Sequence, residues 1–93
     1  MTIVDTALDQ GLDLLVILCR FQVVAGRFRT TFGRTNAANE LMLSLVHELR
    51  DVVAATMRFT LTKEHICRIN KSMDQVTWEL QKPPAVKVLG LVN

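Results

Sequence analysis

Apolar residues recur along the first thirty positions at alternating spacings of four and three, at Ala7, Gly11, Leu14, Leu18, Phe21 and Ala25. That alternation is the signature of one stripe on an α-helix. Beside it run Leu8, Leu12, Leu15 and Cys19, and Val16, Ile17, Val23 and Val24 leave little polar surface in the middle of the segment. A helix covered on one side only would need far less. Thr2 followed by Asp5 forms a capping-box-like start, and Gly26 suits the left-handed residue that ends many helices. The pattern predicts a helix over about 3–26.

A second stripe, Ala38, Met42, Leu45, Leu49, Val52, Thr56 and Phe59, keeps the four-three alternation throughout. It is the seam expected of a helix lying along another. Thr35 or Asn36 caps it, Leu41, Val46 and Val53 widen it, and His47, Glu48, Arg50, Asp51 and Arg58 form the solvated face. This predicts a helix over about 36–59. Ile66, Ile69, Met73, Val76 and Leu80 mark a third helix over about 63–81, capped by Thr60 or Thr62, with Glu64 in its first turn and Arg68 one turn later. Pro83 and Pro84 stop it. The tail over 83–93 is apolar and extended. The fold class expected is all-α: a single domain over 1–93, either a three-helix bundle or a helical hairpin plus third helix.

Composition supports that class. Hydrophobic residues make up 49% of the 93 positions but aromatics only 5%, so the core is built from Leu, Val, Ile, Met and Ala. A chain this short buries only about two-thirds of the surface it exposes when unfolded. The third helix, with Asn70, Ser72 and Thr77 on it, offers thin apolar cover for the first. A homodimer, intertwined or side by side, is therefore expected through Leu14, Ile17, Leu18 and Phe21.

Charge alters the picture through its distribution. The net charge of +2 is too small to indicate a nucleic-acid binder, yet Asp5, Asp9 and Asp13 are followed by Arg20, Arg27, Arg29 and Arg34. That order suits a helix dipole. Arg20 interrupts the first apolar run before the roughly 20 residues of a membrane span accumulate, and no cation precedes the run. A cytoplasmic protein is expected. Cys19 and Cys67, each inside a helical segment, are expected as reduced and largely buried thiols.

No catalytic or metal-binding pattern emerges. His47 and Glu48 begin an HExxH motif, but Asp51 stands where the second His is required. His65 and Cys67 would point about 200 degrees apart on a helix. Neither an enzyme nor a cofactor is expected. The run Arg27, Phe28, Arg29, Thr30, Thr31, Phe32, Gly33, Arg34 reads as a loop with three candidate roles. Its phenylalanines can plug the end of the bundle, the run can anchor a protein partner, or its cations and rings can grip nucleic acid. Trp78 is a further partner-contact candidate. In the tail, Val86, Val88 and Leu89 can pack on a partner or on the chain's own bundle.

The run ALDQGLDLLVILCRFQVVAG, the Arg/Phe joint, the stretch NAANELMLSLVHELRDVVAATM and a third helix ending at WELQKPP together resemble the QslA-like quorum-sensing anti-activators. The resemblance implies a small helical dimer that binds a LuxR-type transcription factor and blocks its DNA binding. It extends over the whole chain in size and plan. The competing expectation is a small nucleic-acid-binding protein using Arg27, Arg29, Arg34 and Arg58.

Overall fold

A computed structural model describes residues 3–82, with side-chain environments from residue 11 onward. The chain forms a three-helix bundle of α1 (Ile3–Thr30), α2 (Asn36–Met57) and α3 (Lys63–Gln81). Thr35, at the start of α2, donates its hydroxyl proton to Glu79 near the end of α3 (3.3 Å), just after α1 has ended at Thr30. α1 and α3 therefore run in one direction and α2 in the other. α3 is the common support: both other helices pack mainly against it, and α1 and α2 meet least.

The core consists of Ile17 and Val24 from α1, Ala38, Leu45, Val52 and Ala55 from α2, and Ile69, Met73 and Val76 from α3. On α2 and α3 these fall on the stripes read from the sequence, except Ala55, which that reading did not include. On α1 the inward line is Leu14, Ile17, Phe21 and Val24, turned by part of a revolution from the expected line through Leu18 and Ala25. Arg20 stands on the flank of that line and joins it to α3. Its Nη1 donates to Asn70 Oδ1 at 2.6 Å and its Nη2 to Asp74 Oδ1 at 2.7 Å, clamping the neighbouring flank of α1 onto α3.

α1 runs one turn past Gly26, so the expected C-cap lies inside the helix and Arg27–Thr30 is helical rather than loop. Satisfied carbonyls explain the extension. Thr31 Oγ1 donates to Arg27 O (2.6 Å), and Arg34 Nη1 reaches back to Phe28 O (2.9 Å) and Thr31 O (3.1 Å). These side chains supply partners for acceptors that a helix end leaves open. The left-handed glycine is Gly33, at φ 70°.

α2 starts at an N-cap Thr35 whose Oγ1 accepts from Ala38 N (3.0 Å). It ends two residues earlier than expected, so Phe59 does not complete the seam. Phe59 N donates to Thr56 O (3.1 Å) and Thr60 N to Ala55 O (2.8 Å), with Phe59 at φ 57°. This is the Schellman arrangement with phenylalanine at the position glycine usually fills. α3 opens on Thr62, which exchanges hydrogen bonds with His65 in a capping box, His standing where Glu or Gln is usual. Glu64 and Arg68 pair at 3.2 Å as expected from their spacing.

Two other expectations are corrected. Glu48, assigned to the solvated face, is half-buried, and its Oε2 has no hydrogen-bond partner among the described residues. It lies beside Asp51, Val52, His65 and Arg68, but Arg68 is held by Glu64 and His65 by the cap of α3. Cys19 and Cys67 are both exposed rather than buried. Thr2 and the tail calls at Val86, Val88 and Leu89 lie outside the described residues.

Two substitutions check the helix ends. A Cβ added at Gly26 meets nothing within 4 Å, so Gly26→Ala is expected to raise the unfolding free energy by up to about 1 kcal/mol in a denaturant titration. A left-handed cap at Gly26 would give a loss instead. At the far end of α2, Phe59→Gly is expected to add about 1 kcal/mol by relieving a left-handed non-glycine residue, measured in the same way.

Candidate protein-interaction surface

Three of the four residues expected to form a dimer interface face inward, and the fourth stands at the edge of that side. Ile17 is in the core, Leu14 and Phe21 pack against that core, and Leu18 is half-buried. On the opposite side of α1 stand Leu12, Leu15, Val16 and Val23, which are 54%, 58%, 63% and 62% exposed. The exposed Cys19 lies among them. Leu12, Val16, Cys19, Val23 and Gly26 repeat at spacings of four and three, so α1 carries a second complete helical stripe. Ile17 and Cys19, two residues apart, point about 200 degrees from each other, which places the two stripes back to back.

This outer stripe covers roughly a third of the circumference and is continuous over about 20 Å at 1.5 Å rise per residue. Isolated apolar side chains on a surface are ordinary, whereas a continuous band of Leu and Val is the kind of patch that marks an interaction site. The sequence shows that α1 is too apolar for one covered side, but the side expected to be available is largely turned into the bundle, and the exposed one lies opposite. The missed signal is the 12-16-19-23-26 repeat, which has the same spacing as the inward one. Deciding between them requires the core residues of α2 and α3 that cover one stripe, which are distant in the chain.

The Arg/Phe joint does not form a single cationic patch. Arg27 and Arg29 are both helical and exposed, and their spacing of two turns them to opposite sides of α1. Arg34 folds back over the Phe28 ring, 4.3 Å from its centroid, while capping α1. Phe28 is half-buried, and Phe32 in the turn is 92% exposed. Arg58 is the C-cap of α2, at the opposite end of the bundle from this joint. The structure thus separates the four arginines of the nucleic-acid expectation instead of gathering them.

Trp78 is 67% exposed on α3, beside a shallow depression lined by Leu41, Lys71, Asp74, Gln75 and Glu79. A second groove, between α1 and α2 where those helices meet least, is lined by Phe21, Ala25, Phe28 and Met42 with Gln22 and Arg29 at its rim. Among the described residues, no group of three or more His, Cys, Asp or Glu side chains is arranged to hold a metal ion, and no helix is long and apolar enough to cross a membrane. Comparison with protein-family models, with curated proteins and with solved structures returns no match to this chain.

Proposed function

We propose that this chain is a non-catalytic regulator that works in the cytoplasm as a homodimer and binds another protein stoichiometrically, as an anti-activator blocking the dimerisation or DNA binding of a transcription factor. The observation that carries the binding part of this reading is the outer face of α1, where Leu12, Leu15, Val16 and Val23 stay exposed after the bundle has filled its core. Phe32, Trp78 and the rim arginines Arg27 and Arg29 are the target contacts, since Phe, Trp and Arg supply much of the energy of protein interfaces. The transcription-factor target, of LuxR type, rests on the resemblance of the chain to quorum-sensing anti-activators.

The competing nucleic-acid reading draws less support. A phosphate footprint needs cations that act together. Arg34 is engaged with Phe28 and the end of α1, Arg20 with α3, and Arg58 stands at the far end of the bundle.

The test begins with affinity capture of the partner from the native cell and its identification by mass spectrometry. The captured factor is then loaded on its DNA site and titrated with the chain. Expected are stoichiometric release of the factor and no shift of duplex DNA by the chain alone. If instead the chain itself shifts DNA with a steep salt dependence, and charge reversal at Arg29 and Arg34 abolishes the shift, the nucleic-acid reading replaces this one.

A further inference from the structure

The outer face of α1 offers more than exposed apolar area, because its repeat and its charges specify an orientation. We infer that two copies of this chain pair through α1 in antiparallel register, with the twofold axis passing between Ile17 and Leu18, so that Leu12 faces the partner's Val23 and Val16 faces the partner's Cys19. The inference rests on the self-association part of the proposed function and adds the geometry of the seam.

Three observations lead there. First, Leu12, Val16, Cys19, Val23 and Gly26 alternate by four and three, as the a and d positions of a heptad do. In an antiparallel pair each a position meets a d position across the seam. Setting Val16 against Cys19 and Leu12 against Val23 satisfies that rule symmetrically and overlaps α1, which spans Ile3–Thr30, along almost its entire length. The small Cys19 and Gly26 let the axes approach towards the close end of the usual 8–10 Å range.

Second, α1 is charge-polarised. Asp5, Asp9 and Asp13 lie in its first half, and Arg27 and Arg29 in its last turns. A parallel second copy would set acid beside acid and base beside base. An antiparallel copy sets the acidic half of each helix along the basic half of the other. Asp13, Arg27 and Arg29 flank the seam. Asp5 and Asp9, which continue its line by the same spacing, come beside the partner's last turns, where Arg27 and Arg29 stand. Such charges fix strand orientation. Arg20, the intervening cation, is already held by Asn70 and Asp74 and does not compete.

Third, among the described residues nothing else in the bundle blocks this face. α2 and α3 pack on the inward side through Ile17 and Val24, leaving the opposite side of α1 clear for a helix of equal length. Burying four Leu and Val side chains per copy, already held in a helix, supplies the apolar core of such a seam.

Disulfide cross-linking of the full-length chain tests the register. In a Cys19→Ser, Cys67→Ser background, Leu12→Cys combined with Val23→Cys is treated with diamide. The oxidant takes up the two protons and two electrons released as each pair of thiols becomes a disulfide. Within one chain the two positions are about 16 Å apart along the helix, beyond the reach of a disulfide, so any bond formed joins two copies.

The expected result is a covalent dimer for the double variant and none for Leu12→Cys alone, because in this register Leu12 and its symmetry mate are also about 16 Å apart along the axis. Efficient cross-linking of Leu12→Cys alone would mean parallel pairing and overturn the inference. Folding of each variant is checked by helical circular dichroism. If no variant cross-links while the folded wild type scatters light as a dimer, the register is wrong but self-association stands. If the wild type scatters as a monomer, self-association itself fails.

Discussion

α1 carries two apolar stripes, and two neighbouring helices can cover only one side of it. A three-helix bundle buries the surfaces that converge on its axis, and the side of each helix turned away from the axis stays in water. Most helices meet this condition with a polar outer face, as α3 does with Lys71, Asp74 and Gln75. α1 meets it only at its edges, through Asp13, Arg20, Gln22, Arg27 and Arg29, and presents Leu and Val at the centre of its outer side. The placement of the other elements decides which stripe is hidden.

One stripe is hidden by apolar fit, with Ile17 and Val24 packed among Leu45, Val52, Ile69, Met73 and Val76, and polar contacts on its flank agree with that orientation. The Arg20 contacts to Asn70 and Asp74 are well exposed, at 43% and 70% for the ion-paired side chains, and contribute little to stability, on the order of 0–1 kcal/mol. They accompany the orientation in which Ile17 and Val24 turn inward and Val16 and Val23 turn outward. The ends of the helices are set by side chains reaching backbone groups: Thr31 and Arg34 at the end of α1, Thr35 at the start of α2, and Thr62 with His65 at the start of α3.

Much of this architecture was legible in the chain. The stripes of α2 and α3 could be read residue by residue because each has a single apolar side, and Ala38, Leu45, Val52, Ile69, Met73 and Val76 are buried as their spacing implied. α1 was harder to read because periodicity identifies a stripe only where a polar face opposes it. Two stripes of equal spacing leave the inward side undefined until the core residues of α2 and α3 arrive from distant parts of the chain. Gly26 misled for a related reason: a glycine near the end of a pattern resembles a cap unless side chains further on, here Thr31 and Arg34, take over the carbonyls. Phe59 extended a correct seam one step too far, since nothing local marks a phenylalanine in the left-handed region.

The proposed dimer depends on one feature, the outer stripe of α1, covered by a second copy of the chain. Multi-angle light scattering of the intact protein across micromolar concentrations tests it most directly. A mass twice that of the 93-residue chain, reduced to the single-chain mass when Val16→Glu and Val23→Glu are introduced together with helicity retained, is the result expected. A wild-type mass of one chain at the highest concentration would contradict it.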